Sequence, residues 1–174
     1  AGIIAVSLSD LGWKPMYKAW LLSRSEIESN RSKLAEAEVT AIEKLVSTWV
    51  TREVDGCTDL LEWVNRNIPS VMAVNDSVKM SNVFNLLSAT LATQDGHPCN
   101  EVLDEKGYAR VFLYALAWGL GGLCDSPERA KLWDKMRQIV VDSKMGDVVA
   151  VIDETLSVFE YFPEPDSAKR LYKL

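Results

Sequence analysis

Imidazole and thiol chemistry have little to draw on in this chain. Its 174 residues hold one histidine, His97, and three cysteines, Cys57, Cys99 and Cys124. Three widely spaced cysteines make no disulfide framework, and a reducing, intracellular setting is the default for such usage. A structural zinc wants four ligands at recognisable spacing, and the sequence has no CxxC or HxxxH pair. His97 lies two residues from Asp95 and two from Cys99. A metal site or a Cys/His dyad is one reading of that cluster, and a polar turn between helices is the other. Positive charge is also short: 19 Lys and Arg face 25 Asp and Glu, a net charge of −6. A general nucleic-acid binder needs a basic face to displace counterions, and an anionic lipid surface attracts the same charge, so neither partner is expected. No apolar run is long enough for a bilayer; an uncharged stretch such as Val111–Cys124 is too short to span one. Ala1–Ser9 lacks the basic start of a secretory signal. The chain opens on Ala, directly in an apolar run, which fits a piece of a longer protein.

What is present is an ordinary globular balance, 48% apolar and 25% charged residues. Gly2–Leu8 is a β-branched run that suits a buried strand. Pro15 then starts a short helix to about Arg24, since the first helical turn tolerates proline. A long helix follows from caps at Ser25 or Ser29, with Ala35, Val39, Ile42, Leu45, Val46 and Trp49 in one apolar stripe, and ends before Asp55-Gly56. A further helix spans about Thr58 to Asn67, and the next starts at the caps Asn75, Asp76 and Ser77. Thr93–Cys99 is a loop by composition. A helix over about Glu105 to Leu120 is apolar all round and predicts burial on most sides. Another begins at Ser126-Pro127-Glu128, with Ser as cap, and Gly146 closes the region. Val148–Ile152 and Thr155–Phe162 read as extended, and Pro163, Pro165 and Asp166 as a linker.

Tested for chemistry, these elements offer no catalytic constellation. Gly119, Gly121 and Gly122 follow a helix, and no Lys-Ser/Thr pair comes next, so they read as a helix end with close backbone packing, not as a phosphate loop. Glu26, Glu28, Glu36, Glu38 and Glu43 interleave with Arg31, Lys33 and Lys44, the pattern of a solvated helix face. Of Trp13, Trp20, Trp49, Trp63, Trp118 and Trp133, most fall on or beside apolar stripes and read as core.

Three segments, in order, carry a resemblance. Gly2-Ile3-Ile4-Ala5-Val6 leads into Leu11-Gly12-Trp13-Lys14-Pro15 and a helix carrying Trp20. Phe112-Leu113-Tyr114-Ala115-Leu116-Ala117-Trp118-Gly119-Leu120-Gly121-Gly122 comes next, then Ser157-Val158-Phe159-Glu160-Tyr161-Phe162. Together they resemble the dynein heavy chain, whose strand, LGW(R/K)P turn, FxFSLIWSxGG helix and V-[YF]-[DE]-[YF] segment follow in that order. Ala115-Leu116-Ala117, Gly119 and Gln94–Asn100 depart from the pattern.

The resemblance implies the second of six AAA+ modules in an ATP-driven microtubule motor, in the cytoplasm on the cytoskeleton or in the axoneme of a cilium or flagellum. It implies a mostly α fold: a helical AAA+ small (lid) subdomain with a short N-terminal strand and an extended C-terminal exit. Residues 1–24 would end the large subdomain, 25–145 form the lid, and 146–174 lead to the next module. No P-loop is present in this chain, so it would be a non-catalytic piece that holds no cofactor of its own. ATP or ADP with Mg would belong to the parent. Arg110 is the candidate nucleotide contact, the alternative being a structural or solvated arginine. Gly12, Trp13, Pro15, Trp20, Trp118, Gly121 and Gly122 match the family as structural positions. Partners would be the other AAA+ modules of the same heavy chain and, through the parent, the microtubule and dynein subunits. The competing readings are a free-standing helical scaffold that binds a partner protein, and an enzyme built on Cys99 and His97.

Overall fold

A computed structural model describes residues 12–27, 32–91, 103–150, 152–163 and 171–173. The expected strand at Gly2–Leu8 and the loop holding Asp95, His97 and Cys99 lie outside the described residues. The body is helical: α1 (Lys14–Ile27), α2 (Ser32–Leu45), α3 (Leu60–Asn67), α4 (Asp76–Thr90), α5 (Glu105–Gly121), α6 (Ser126–Asp142) and the single turn α7 (Gly146–Val149). A 3-10 turn, Val158–Glu160, precedes a small antiparallel pair, β1 (Tyr161–Pro163) with β2 (Leu171–Lys173), in which Phe162 faces Tyr172. No described helix is long and apolar enough to cross a membrane.

Helix boundaries follow local chemistry. Asp59, Asn75 and Asp104 cap α3, α4 and α5, accepting from the backbone N–H of Glu62, Val78 and Gly107. At α6 the cap position is Asp125, one residue before the expected Ser126, and it makes no side-chain cap bond. The long second helix does not run straight to Asp55. It changes at Val46–Val50 into a π turn, closed by Thr51 N–H on the Val46 carbonyl at 2.9 Å. Thr48 Oγ1 bonds back to the Lys44 carbonyl at 2.8 Å, a contact that loosens the regular ladder. The wider turn carries Trp49 into the core, where its Nε1 donates to Ser143 Oγ at 2.9 Å. Asp55 and Gly56, both at positive φ, then form a two-residue hairpin turn between Val54 and Cys57.

The core is centred on α5. Ala109, Val111, Phe112, Leu113, Ala115, Leu116 and Ala117 are all essentially inaccessible. The helix is wrapped by α4 on one side, by α2 and α6 on others, and by α7 and the 3-10 turn. An apolar surface on every side is what such a central helix requires. Two expectations fail at the C-terminal end. Gly146–Val149 is helical, not extended, because Val148 and Val149 bury as a helical turn beside α5 and α6. Within Thr155–Phe162, extended pairing starts only at Tyr161. Ser157 and Glu160 form a capping box that curls Val158–Glu160 into a turn.

The buried charged residues Arg24, Glu38 and Lys79 each have a hydrogen-bonded partner. Arg24 of α1 grips Glu38 of α2 through two bonds, Nε–Oε1 at 2.7 Å and Nη2–Oε2 at 3.1 Å, and both side chains are buried. Glu38 therefore does not belong to the solvated face read from the sequence. Lys79 is also buried and donates to Asn65 Oδ1 at 2.7 Å, joining α4 to α3.

Candidate functional site

The turn into α1 is built by its residue types. Gly12 has φ +68°, a left-handed conformation that costs glycine little. Its carbonyl accepts from Ser77 Oγ at 3.0 Å, which pins the turn to the start of α4. Trp13 is buried below it, and Pro15 occupies the first turn of α1. Trp20 is half-buried; its ring centroid lies 5.0 Å from Phe84, and its Nε1 donates to Ser88 Oγ at 2.8 Å. Gly12, Trp13 and Trp20 thus form one seam, by which α1 rests on α4, while Pro15 is exposed at the helix start.

A second cluster forms at the C-terminal end of α5. Gly119 meets α4 so closely that a Cβ there would lie 2.2 Å from Val83 Cγ2 and 2.9 Å from the Val83 backbone nitrogen. Two residues on, a Cβ at Gly121 would lie 2.7 Å from Phe159 Cζ. Trp118 is half-buried, not core. Its indole stands edge-on to Phe159, centroids 5.1 Å apart, and the indole Nε1 has no hydrogen-bond partner among the described residues. Sequence reasoning missed the residue that joins these parts, Arg129 of α6. Its guanidinium lies 5.0 Å from the Trp118 ring centroid and 5.5 Å from that of Phe159. Its Nε donates to the Gly121 carbonyl at 2.9 Å and its Nη2 to the Gly122 carbonyl at 3.0 Å. The available signal was position: Ser126-Pro127-Glu128-Arg129 puts a cation one turn into a helix that starts just after α5 ends, where carbonyls are unsatisfied.

Arg110 belongs to neither cluster. It is half-buried in the second turn of α5, about 12 Å along the axis from Trp118 at 1.5 Å per residue. Spacing of four aligns it with Tyr114, Trp118 and Gly122. The last three line an apolar groove of about 640 Å³ between α4 and α5, together with Asn82, Asn85, Leu86 and Leu123. Burial pushes the Tyr114 hydroxyl above its ordinary pKa.

The titratable groups act as surface pairs and caps. Asp55 is held below the usual carboxylate range by its bond to Lys135, Glu62 by the Thr58 backbone N–H, and Asp147 by Lys106. Cys57 and Cys124 are free and buried. Burial pushes the Cys124 thiol up, the opposite of what a nucleophile needs. No group of three or more His, Cys, Asp or Glu among the described residues could hold a metal ion.

The chain is 30% identical over 172 residues to the dynein gamma chain, flagellar outer arm, of Chlamydomonas reinhardtii, covering 99% of this chain and 3% of that protein. Dynein axonemal heavy chains 2 and 12 of Homo sapiens are 22% and 24% identical over 94% of the chain, which covers 3% and 5% of them. The chain therefore spans only a few per cent of the length of these relatives. No solved structure matches it. The family model of the dynein heavy chain AAA lid domain matches residues 54–171, from the hairpin before α3 to the first residue of β2. By that match, over more than half its length, this helical body belongs to the dynein heavy chain AAA lid domain family.

Proposed function

We propose that the chain is the lid of the second AAA+ module in a dynein motor ring and performs no ATP chemistry itself. The observation that carries the reading is the family match, which runs through α3, α4, α5, α6 and α7 as one packed body. The order of the Leu11–Pro15, Phe112–Gly122 and Val158–Phe162 segments supports the choice of module. Residues 1–24 end the large subdomain, 25–145 form the lid, and 146–174 lead toward the third module. Axonemal and flagellar relatives favour an axonemal setting. The other modules of the same heavy chain are the immediate partners, and the microtubule is reached only through the parent. Val71, Met72 and Leu123 support a neighbouring module: all three are exposed, and Val71 N–H bonds the Leu123 carbonyl, so they share one edge.

In this reading the upstream large subdomain holds ATP or ADP with Mg, and Arg110 reaches its phosphates from the second turn of α5. A charge-assisted hydrogen bond contributes about 1.5–3 kcal/mol. Arg110→Ala in the heavy chain is therefore expected to weaken nucleotide binding at that module by roughly 10- to 100-fold. Unchanged affinity would remove Arg110 from the site. Micromolar ATP binding by the 174-residue chain alone, seen by calorimetry, would overturn the proposal that the lid needs its large subdomain.

A further inference from the structure

We infer that Arg129 is a positioning residue that seats the segment Asp153–Tyr161 on the C-terminal end of α5, so that the segment releases as a unit from an intact helical body. The seat stands whether or not Arg110 meets a nucleotide.

The segment closes on itself. Ser157 N–H donates to Glu160 Oε2 at 2.8 Å, Ser157 Oγ completes the capping box, and Asp153 N–H donates to the Tyr161 hydroxyl at 3.1 Å. Asp153 Oδ1 accepts from Thr155 N–H at 2.9 Å. A polar cleft of about 400 Å³, lined by Asp134 and Arg137 of α6 and by Glu154 and Glu160, holds most of the segment off α6. Its attachment therefore concentrates at α5, where Val158 buries and Phe159 lies over Gly121. Arg129 reaches across from α6 and completes that attachment in two ways at once. Its flat guanidinium fills the angle between the Trp118 and Phe159 rings, and its fork caps the Gly121 and Gly122 carbonyls. Charge alone does not do this. A lysine ammonium offers no planar face and no fixed fork.

Amide hydrogen exchange on the full chain tests the seat in Arg129→Ala, Arg129→Lys and Phe159→Leu. The reporters are the N–H groups of Glu160 and Tyr161, bonded to the Ser157 and Val158 carbonyls. Both Arg129 variants are expected to speed exchange there at least tenfold while Leu113 and Leu116 of α5 stay within about twofold, the pattern of sub-global opening. Phe159→Leu keeps an apolar side chain and the cation but loses the ring, and gives the same local pattern. Wild-type protection at Glu160 and Tyr161 in the Arg129 variants would overturn the inference. So would a loss that spreads equally to Leu113 and Leu116, because Arg129 would then only stabilise the whole fold. Retention of local protection by Arg129→Lys would show that charge alone suffices and would overturn the role given to the planar fork.

Discussion

Towards its C-terminus α5 presents Gly119 to the backbone of α4 and Gly121 to the ring of Phe159, whereas its first turn, besides burying Gly107 and Tyr108, carries the exposed ion pairs Lys44–Glu105 and Lys106–Asp147. The two ends are held by different physics. Contacts at the glycine end are close and dispersive, joined by the Arg129 bonds to the Gly121 and Gly122 carbonyls, and small displacements lose much of the dispersive attraction. Pairs at the other end are exposed, screened by salt and tolerant of movement. An open cleft lined by Glu36, Lys44, Leu103, Glu105 and Tyr108 separates α2 from the start of α5 there.

The sharpest way to break this contrast is Gly119→Ala. At an ordinary helical position the change would stabilise by about 1 kcal/mol. Here the new Cβ meets Val83 backbone atoms at 2.9 and 3.0 Å, which cannot rotate away. Overpacking of this kind typically costs about 1–3 kcal/mol, so a net loss of about 2 kcal/mol is expected in chemical denaturation. A stabilised variant would mean that α4 and α5 are not closed at this point.

How much of this contrast is legible in the chain depends on range. The cap Asn75, the Pro15 and Pro127 helix starts and the apolar stripes are local, so the elements they mark lie close to their expected places. The failures share a cause. Val148–Ile152 and Thr155–Phe162 are rich in β-branched and aromatic residues, which report burial as readily as strand. Burial on α5 decides the matter, and it comes from distant parts of the chain. Trp118 lies among fully buried neighbours, yet its indole ends up half-exposed under Arg129, a relation that no periodicity encodes. Glu38 looked like its neighbours until α1 brought Arg24 over it. Of the resemblance, the tryptophans and Gly121 explain themselves in packing and Gly12 by its left-handed backbone, while Arg110 as a nucleotide contact rests on the resemblance alone.

A smaller effect is expected at the exposed pairs of the first turn. Lys106→Ala removes the partner of Asp147 and should shift the melting temperature far less than Gly119→Ala, by an amount that shrinks as salt is raised. Removing Lys106 also returns the Asp147 carboxyl toward its ordinary range, which proton titration by NMR would register. A salt-insensitive loss as large as that at Gly119 would show the first turns of α5 to be gripped as firmly as the last.

The α1 footing lies between these extremes: aromatic, half-buried, and carrying a titratable hydroxyl at Tyr17. The Tyr17 ring stacks on Phe84 with centroids 5.3 Å apart. Burial, helped by the nearby Glu43 carboxylate, raises its hydroxyl from 10.0 to about 12. The unfolded chain loses that proton near pH 10 while the folded chain keeps it until about pH 12. Protons bound to the unfolded state are then fewer, and stability falls with rising pH across that window. Below pH 10 the contribution is complete, so neutral and acid conditions leave it untouched. Tyr17→Phe cannot ionise and should lose less stability than the wild type between pH 10 and about pH 12, in denaturant titrations run side by side so that other groups cancel. Parallel curves for the two proteins would place the Tyr17 hydroxyl in water and loosen the α1 footing to the level of the exposed pairs.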